Sequence, residues 1–145
     1  MSIAGVTAEN AVNHEDIEKQ WAVKAFHHAE TFFKLISAVD ASRLRLTKID
    51  DELHADFLTM FPSINLASID EMADFKSEKA KAAWRDFIKK YESRVEDFNF
   101  GTLLRVRAAE DYGPDNAFFV TRIQFFAIEI ARNRAGLNSV HLKKK

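Results

Sequence analysis

The chain has 145 residues, a length that suits one domain with a single core. Its 47% hydrophobic and 30% charged residues mark a globular protein, and a formal net charge of −1 argues against a dedicated nucleic-acid binder. The lack of Cys excludes disulfides and Cys-ligated zinc, and four Gly with two Pro are too few for the turns of an all-β chain.

The first twelve residues show no periodicity and read as a flexible arm. Asn13 is the expected N-cap of a long helix, with Glu15 and Asp16 in its first turn. Ile17, Trp21, Ala25, His28, Phe32, Ile36 and Val39 then recur at spacings of three and four, one buried stripe on that helix. Asp40-Ala41-Ser42 should close it. Thr47 with Asp50 three residues on predicts a second helix through Ile49, Leu53, Phe57 and Met60, stopped by Pro62. Ser68-Ile69-Asp70-Glu71 predicts a short helix through Phe75, and Ser77 a longer one. The inward stripe of the longer helix is Ala80, Trp84, Phe87, Tyr91 and Val95.

After Asp97 the helical pattern breaks at Gly101. "TLLRVRA" and "NAFFVTR" flank "AEDYGPD", whose Gly113-Pro114-Asp115 is turn chemistry, so residues 102–122 form either a short β-hairpin or an irregular loop. A last helix should run from Thr121 to Ala135, ended by Gly136 as an αL residue with Leu137 against it. The expectation is a mainly α, single-domain bundle of about five helices over 13–138, with a disordered basic tail at 139–145.

Charge is unevenly placed along this framework. Residues 1–73 carry six Lys/Arg against twelve Asp/Glu, whereas 101–145 carry eight against four. From 98 to 142 every cation is Arg, at 105, 107, 122, 132 and 134. Arg is the planar, bidentate cation, so this set reads as placed groups. On the last helix, at 100° per residue, Arg122, Glu129 and Asn133 share one strip flanked by Phe125 and Phe126, with Arg132 one turn from Glu129. Two readings stand: an internal ion pair satisfying a buried carboxylate, or a polar stripe framed by aromatics and open to a partner.

Other chemistry finds little support in the residues. His27, His28 and Glu30 offer at most two ligands on one helix face, so no metal site is expected, and Asp50-Asp51-Glu52 reads as a complement to the helix dipole. No phosphate-binding Gly loop, nucleophile elbow or HExxH pattern occurs, and no carboxylate pair stands out; neither an enzyme nor a cofactor is expected. Phe98, Phe100, Phe118 and Phe119 near the Arg set keep RNA binding as an alternative. The absence of a signal-like N-terminus and of a long apolar run places the chain in the cytosol, with access to the nucleus by diffusion.

"DIEKQWAVKAFHHAETFFKLISAV", "LRLTKIDDELHADF", "WRDFIKKYESRVEDFNFGTLLR" and "RIQFFAIEIARNRAGLN" together resemble the eukaryotic polysaccharide biosynthesis domain-containing protein family over about residues 14–138. "EDFNFGTLLR" and "RIQFFAIEIARNR" are the most distinctive pieces. The likeness is to compact fungal members, so no role of the charged tail of animal members carries over. The resemblance implies a helical domain with a chaperone-like role despite the family's name: ATP-independent capture of the GTP-binding domain of newly made translation elongation factor 1-alpha, near the ribosome. A carbohydrate-related function, as the name suggests, is the alternative. Under the chaperone reading, Asn99, Gly101, Thr102 and Arg105 at the break and Arg122, Gln124, Glu129, Arg132 and Asn133 on the last helix are the expected partner-binding residues. Trp21, Trp84, Phe87 and Tyr91 are expected in the core.

Overall fold

A computed structural model of the chain describes residues 11–143, with side chains from residue 20 onward. Four α-helices and one two-stranded sheet make up the described fold: α1 (Ala11–Ala38), α2 (Asp50–Met60), α3 (Glu78–Tyr91), β1 (Gly101–Arg105), β2 (Ala117–Thr121) and α4 (Arg122–Arg134). Single turns at Ala41–Arg43, Met72–Lys76 and Ser139–His141 complete the chain.

The long first helix already includes Ala11, so Asn13 lies inside it and is not its cap. Of the expected arm, residues 1–10 lie outside the described residues. The helix ends at Ala38, before Val39, which is exposed. Ala25, Phe32 and Ile36 of the expected stripe are buried, joined by Ala29, while Trp21 and His28 are half-buried.

Asp50 starts α2 as a buried carboxylate that accepts from the backbone N–H of Leu46 and Thr47 and from the Thr47 hydroxyl, at 2.6–2.8 Å. These bonds explain how a charged residue is tolerated there. Ser77 caps α3 as the sequence predicts, its hydroxyl accepting from Ala80 N–H at 3.1 Å. The short helix before it is a π turn over Met72–Lys76, entered through Asp70 and not Ser68: the Asp70 carboxylate accepts from Ala73 N–H, and Ser68 forms a bridge with Arg107.

Residues 102–122 do contain a hairpin. β1 and β2 pair antiparallel, Gly101 opposite Thr121 through Arg105 opposite Ala117. Asn116 holds the connecting loop together, accepting from Arg107 N–H at 2.7 Å and donating to the carbonyls of Arg107 and Asp111.

The centre of the domain is α4. All seven residues from Ala127 to Asn133 are buried, because α2, α3, β1 and the turn at residues 41–43 pack around the helix. Its C-terminus is built as the sequence predicts, whereas at its N-terminus Gln124, expected to meet a partner, serves a cap instead. Thr121 and Gln124 form a reciprocal capping box, and Gly136 at φ 80° lets Leu137 N–H reach the Arg132 carbonyl and Gly136 N–H the Asn133 carbonyl. Trp84, Phe61, Phe75 and Phe87 form an aromatic cluster beneath α3, with Phe61 stacked on Trp84 at 4.0 Å between ring centroids.

The chain does not trail off after α4. Asn138 is fully buried and Lys143 N–H donates to the Ser37 carbonyl, so residues 138–143 pack back on α1 instead of forming a free tail. Lys144 and Lys145 lie outside the described residues.

Candidate functional site

The nine residues expected to meet a partner fall into two groups, and only one is accessible. Arg105, Glu129 and Arg132 have no side-chain exposure, and Thr102 and Asn133 are buried as well. At Glu129, Arg132 and Asn133 the strip on α4 is therefore an internal network, which corrects its reading as an open surface, while Arg122 stays partly exposed.

The Arg105 guanidinium donates to both Glu129 oxygens at 3.0 and 3.1 Å, to Asn138 Oδ1 at 2.7 Å and to the Ala108 carbonyl at 2.7 Å. Phe33 and Tyr112 place ring faces 5.8 and 5.7 Å from it. Arg132 donates to Glu129 at 3.4 Å and to the backbone carbonyls of Leu66, Arg105 and Val106 at 2.8–3.1 Å. It thus ties the segment before Ser68 and the end of β1 to α4. Asn138 donates to Glu129 at 3.0 Å and to Asn133 at 2.7 Å, while His141 lies 2.7 Å from the Ala108 carbonyl. Burial by itself pushes the Glu129 carboxyl up, but Arg105 and Arg132 beside it outweigh that and hold it below the ordinary carboxylate value. Closed to solvent and almost fully hydrogen-bonded, this constellation is a joint between elements that no substrate can reach.

Gln124 and the backbone around Asn99 are also structurally committed. Gln124 serves the α4 cap, and the carbonyls of Phe98 and Phe100 accept from Ile123 and Arg122 N–H, satisfying the first turn of α4. Asn99 is exposed; Arg122 is half-buried and lies 3.7 Å from Asp97. Arg122 borders a recess of about 220 Å³ with Lys24, His28, Phe100 and Gly101. Of the Phe set considered for RNA stacking, Phe118 is buried on the opposite sheet face from exposed Phe119. Arg105 and Arg132 are buried, so of the Arg set near these rings only Arg122 meets an exposed member, Phe100, at the recess.

The accessible feature lies between α1 and the outer sheet face. Phe26 is 55% and Phe119 51% exposed. A groove of about 610 Å³ runs beside them, lined by Phe26, Ala29, Leu103, Tyr112, Pro114 and Ala117. Trp21 continues the surface, its ring 4.9 Å from Phe119. Its close approach depends on Gly101, where a Cβ would stand 1.4 Å from Trp21 Cζ2.

Of these apolar residues the sequence reading places Phe119 with the RNA-stacking set and Trp21 in the core, and it does not single out Phe26 or Leu103. The signals are nonetheless present. Phe26 lies outside the α1 stripe, and in a strand the neighbours Phe118 and Phe119 must point to opposite faces. Among the described residues no helix is long and apolar enough to cross a membrane, and no three or more His, Asp or Glu gather as a metal site.

Comparison with known proteins places this arrangement in a family. The profile of the PBDC1 protein family matches residues 17–143. The chain is 48% identical over 130 residues to mouse Protein PBDC1 and 49% identical over 131 residues to the human protein, covering 90% of this chain in each case. It spans only 65% and 56% of those two relatives' lengths. Against the Saccharomyces cerevisiae homolog it is 48% identical over 136 residues, spanning 92% of that protein. A solution NMR structure of a Saccharomyces cerevisiae protein superposes with a TM-score of 0.83 at 45% identity, over 99% of this chain and 100% of the other.

Proposed function

The chain belongs to the PBDC1 family, and from that membership we propose that it is an ATP-independent chaperone-like binding protein for the GTP-binding domain of newly made translation elongation factor 1-alpha. The client rests on the family resemblance, and it acts in the cytosol near the ribosome. The observation that supports a binding role is the apolar surface of Trp21, Phe26, Leu103 and Phe119 beside the groove. Large apolar side chains gathered on one exposed face mark a site of contact with another apolar surface. An incompletely folded client offers such a surface until its own folding buries it, so capture and release need no ATP.

Phe26→Ser and Phe119→Ser are the informative variants, because both side chains are about half exposed and their removal leaves the core intact. Each is expected to lower the yield of elongation factor 1-alpha co-purified from actively translating extract, with unchanged helicity. If the wild-type protein does not enrich the elongation factor over abundance controls, the proposal fails.

A further inference from the structure

We propose, building on that binding reading, that the outer edge of β2 receives an extended apolar segment of the client as a third strand. The pairing pattern determines which groups are free. Arg122 N–H donates to the Phe100 carbonyl and Val106 N–H to the Asn116 carbonyl, so the hydrogen-bonded pairs alternate from these ends. In the register between them, Phe118 and Val120 turn their N–H and C=O groups towards Leu104 and Thr102 of β1. Ala117 and Phe119 therefore turn theirs away from β1. Thr121 N–H, also outward, is taken by the Gln124 side chain at 2.9 Å.

The sheet has two strands among the described residues, and β2 packs mainly against β1 and α4, whereas α1 lies against β1. On the β1 side, the Leu103 carbonyl accepts from the Tyr112 hydroxyl at 3.4 Å. Among the described residues, the row of unpaired backbone groups thus belongs to β2.

Its sequence, Ala-Phe-Phe-Val-Thr, contains no Lys, Pro, Gly or acidic residue. Edge strands are ordinarily guarded by charge, proline or a bulge, because an open row of N–H and C=O groups recruits another strand. Here nothing in the strand blocks pairing, and Phe119 adds an exposed ring beside the row. Backbone donors and acceptors at strand spacing specify an extended peptide, and the period of two specifies alternation. Side chains on the Phe119 face would be apolar, next to Ala117, Leu103 and the groove. An incompletely folded client, with apolar segments not yet buried, supplies such a segment.

The test compares residue-resolved amide exchange in the free protein and in the complex co-expressed with the GTP-binding domain of elongation factor 1-alpha. Ala117 and Phe119 should exchange rapidly when free and slow by roughly 10- to 100-fold in the complex, whereas Phe118 and Val120 are already slow in both. Phe119→Ala, which keeps the amide, should weaken capture while preserving the slowing at saturating client. A stable complex in which Ala117 and Phe119 exchange as in the free protein would overturn strand addition and leave the binding role standing. No complex at all would overturn the binding role, and strand addition with it. Slowing in the protein alone that grows with its concentration would identify a second copy of this chain as the occupant, against the proposal.

Discussion

Arg105 and Glu129, twenty-four residues apart in sequence, share two hydrogen bonds at 3.0 and 3.1 Å with neither side chain exposed. Removing one partner of such a pair leaves an uncompensated buried charge. Glu129→Gln keeps the shape but leaves Arg105 and Arg132 facing each other, and is expected to lose about 3–5 kcal/mol. That is much of the total for a domain of this size, where roughly 5–15 kcal/mol is usual. Urea denaturation followed by circular dichroism should show a lower midpoint; a wild-type midpoint would sink the structural role. Charge reversal at Arg105 or Arg132, which an open strip would make a test of partner contact, should likewise unfold the domain.

Asn138 extends the same joint to the C-terminal segment. Its side chain accepts from Arg105 and donates to Glu129 and Asn133, all within 3.0 Å. Asn138→Ala removes three buried hydrogen bonds, leaves Asn133 Oδ1 without a partner while Arg105 and Glu129 keep each other, and should cost about 2 kcal/mol, within the range for unsatisfied buried groups. Removing Lys144 and Lys145 should change thermal unfolding little. A truncated chain ending at residue 137 that melted like wild type would contradict the packing of residues 138–143 on α1.

Gly101 is needed for space, since its backbone does not adopt positive φ. Gly101→Ala places a methyl group where the Trp21 ring lies, so the ring must leave the sheet. The expected destabilisation is about 1–3 kcal/mol, the range for overpacking. Trp21 emission should shift to longer wavelength as the indole becomes hydrated, with Trp84→Phe as the background to isolate its signal. Unchanged emission would show that the sheet yields instead.

His28 sets an acid limb to stability. Its Nδ1 lies 2.6 Å from the Thr102 hydroxyl and its ring 4.9 Å from Phe125, and burial, then Arg122, pushes its pKa below the ordinary histidine value. Between that ordinary value of about 6.5 and the lower folded value, the unfolded chain binds more protons, so stability declines as pH drops through this window. Glu129 acts lower: its depressed pKa provides stability above the ordinary carboxylate value that disappears as pH falls through the folded one. Melting temperatures between about pH 7 and pH 5 should fall less steeply for His28→Gln than for wild type. Equal slopes would rule out His28 as the source.

Much of the fold was legible because local signals carry it. Ser77 capping α3, the Thr121–Gln124 box and Gly136 at the end of α4 are all interactions between residues within a few positions of one another. The stripe Ala80, Trp84, Phe87 and Tyr91 is buried throughout α3, because the helical period decides which side chains share a face; Val95 is buried too, but from the turns beyond the helix, which ends four residues earlier than the stripe predicts. Asn13 and Ser68 were misread because a suitable capping side chain is common, whereas where a helix begins also depends on what its first turn packs against. The site was less legible. Arg122, Glu129 and Asn133 share a strip by angle, but angle cannot say whether that strip faces water.

Sequence by itself determined a single helix-rich domain with a break at Gly101, the start of α3, the span of α4, and likeness to a family, since these depend on residue type and short spacing. Tertiary structure alone decided that Glu129 is sealed between Arg105 and Arg132, that residues 138–143 close over them, and that Phe26 and Phe119 remain exposed. The reason is geometric: burial of a charge or exposure of a ring depends on which distant segments cross it, and those crossings arise from the packing of the whole chain.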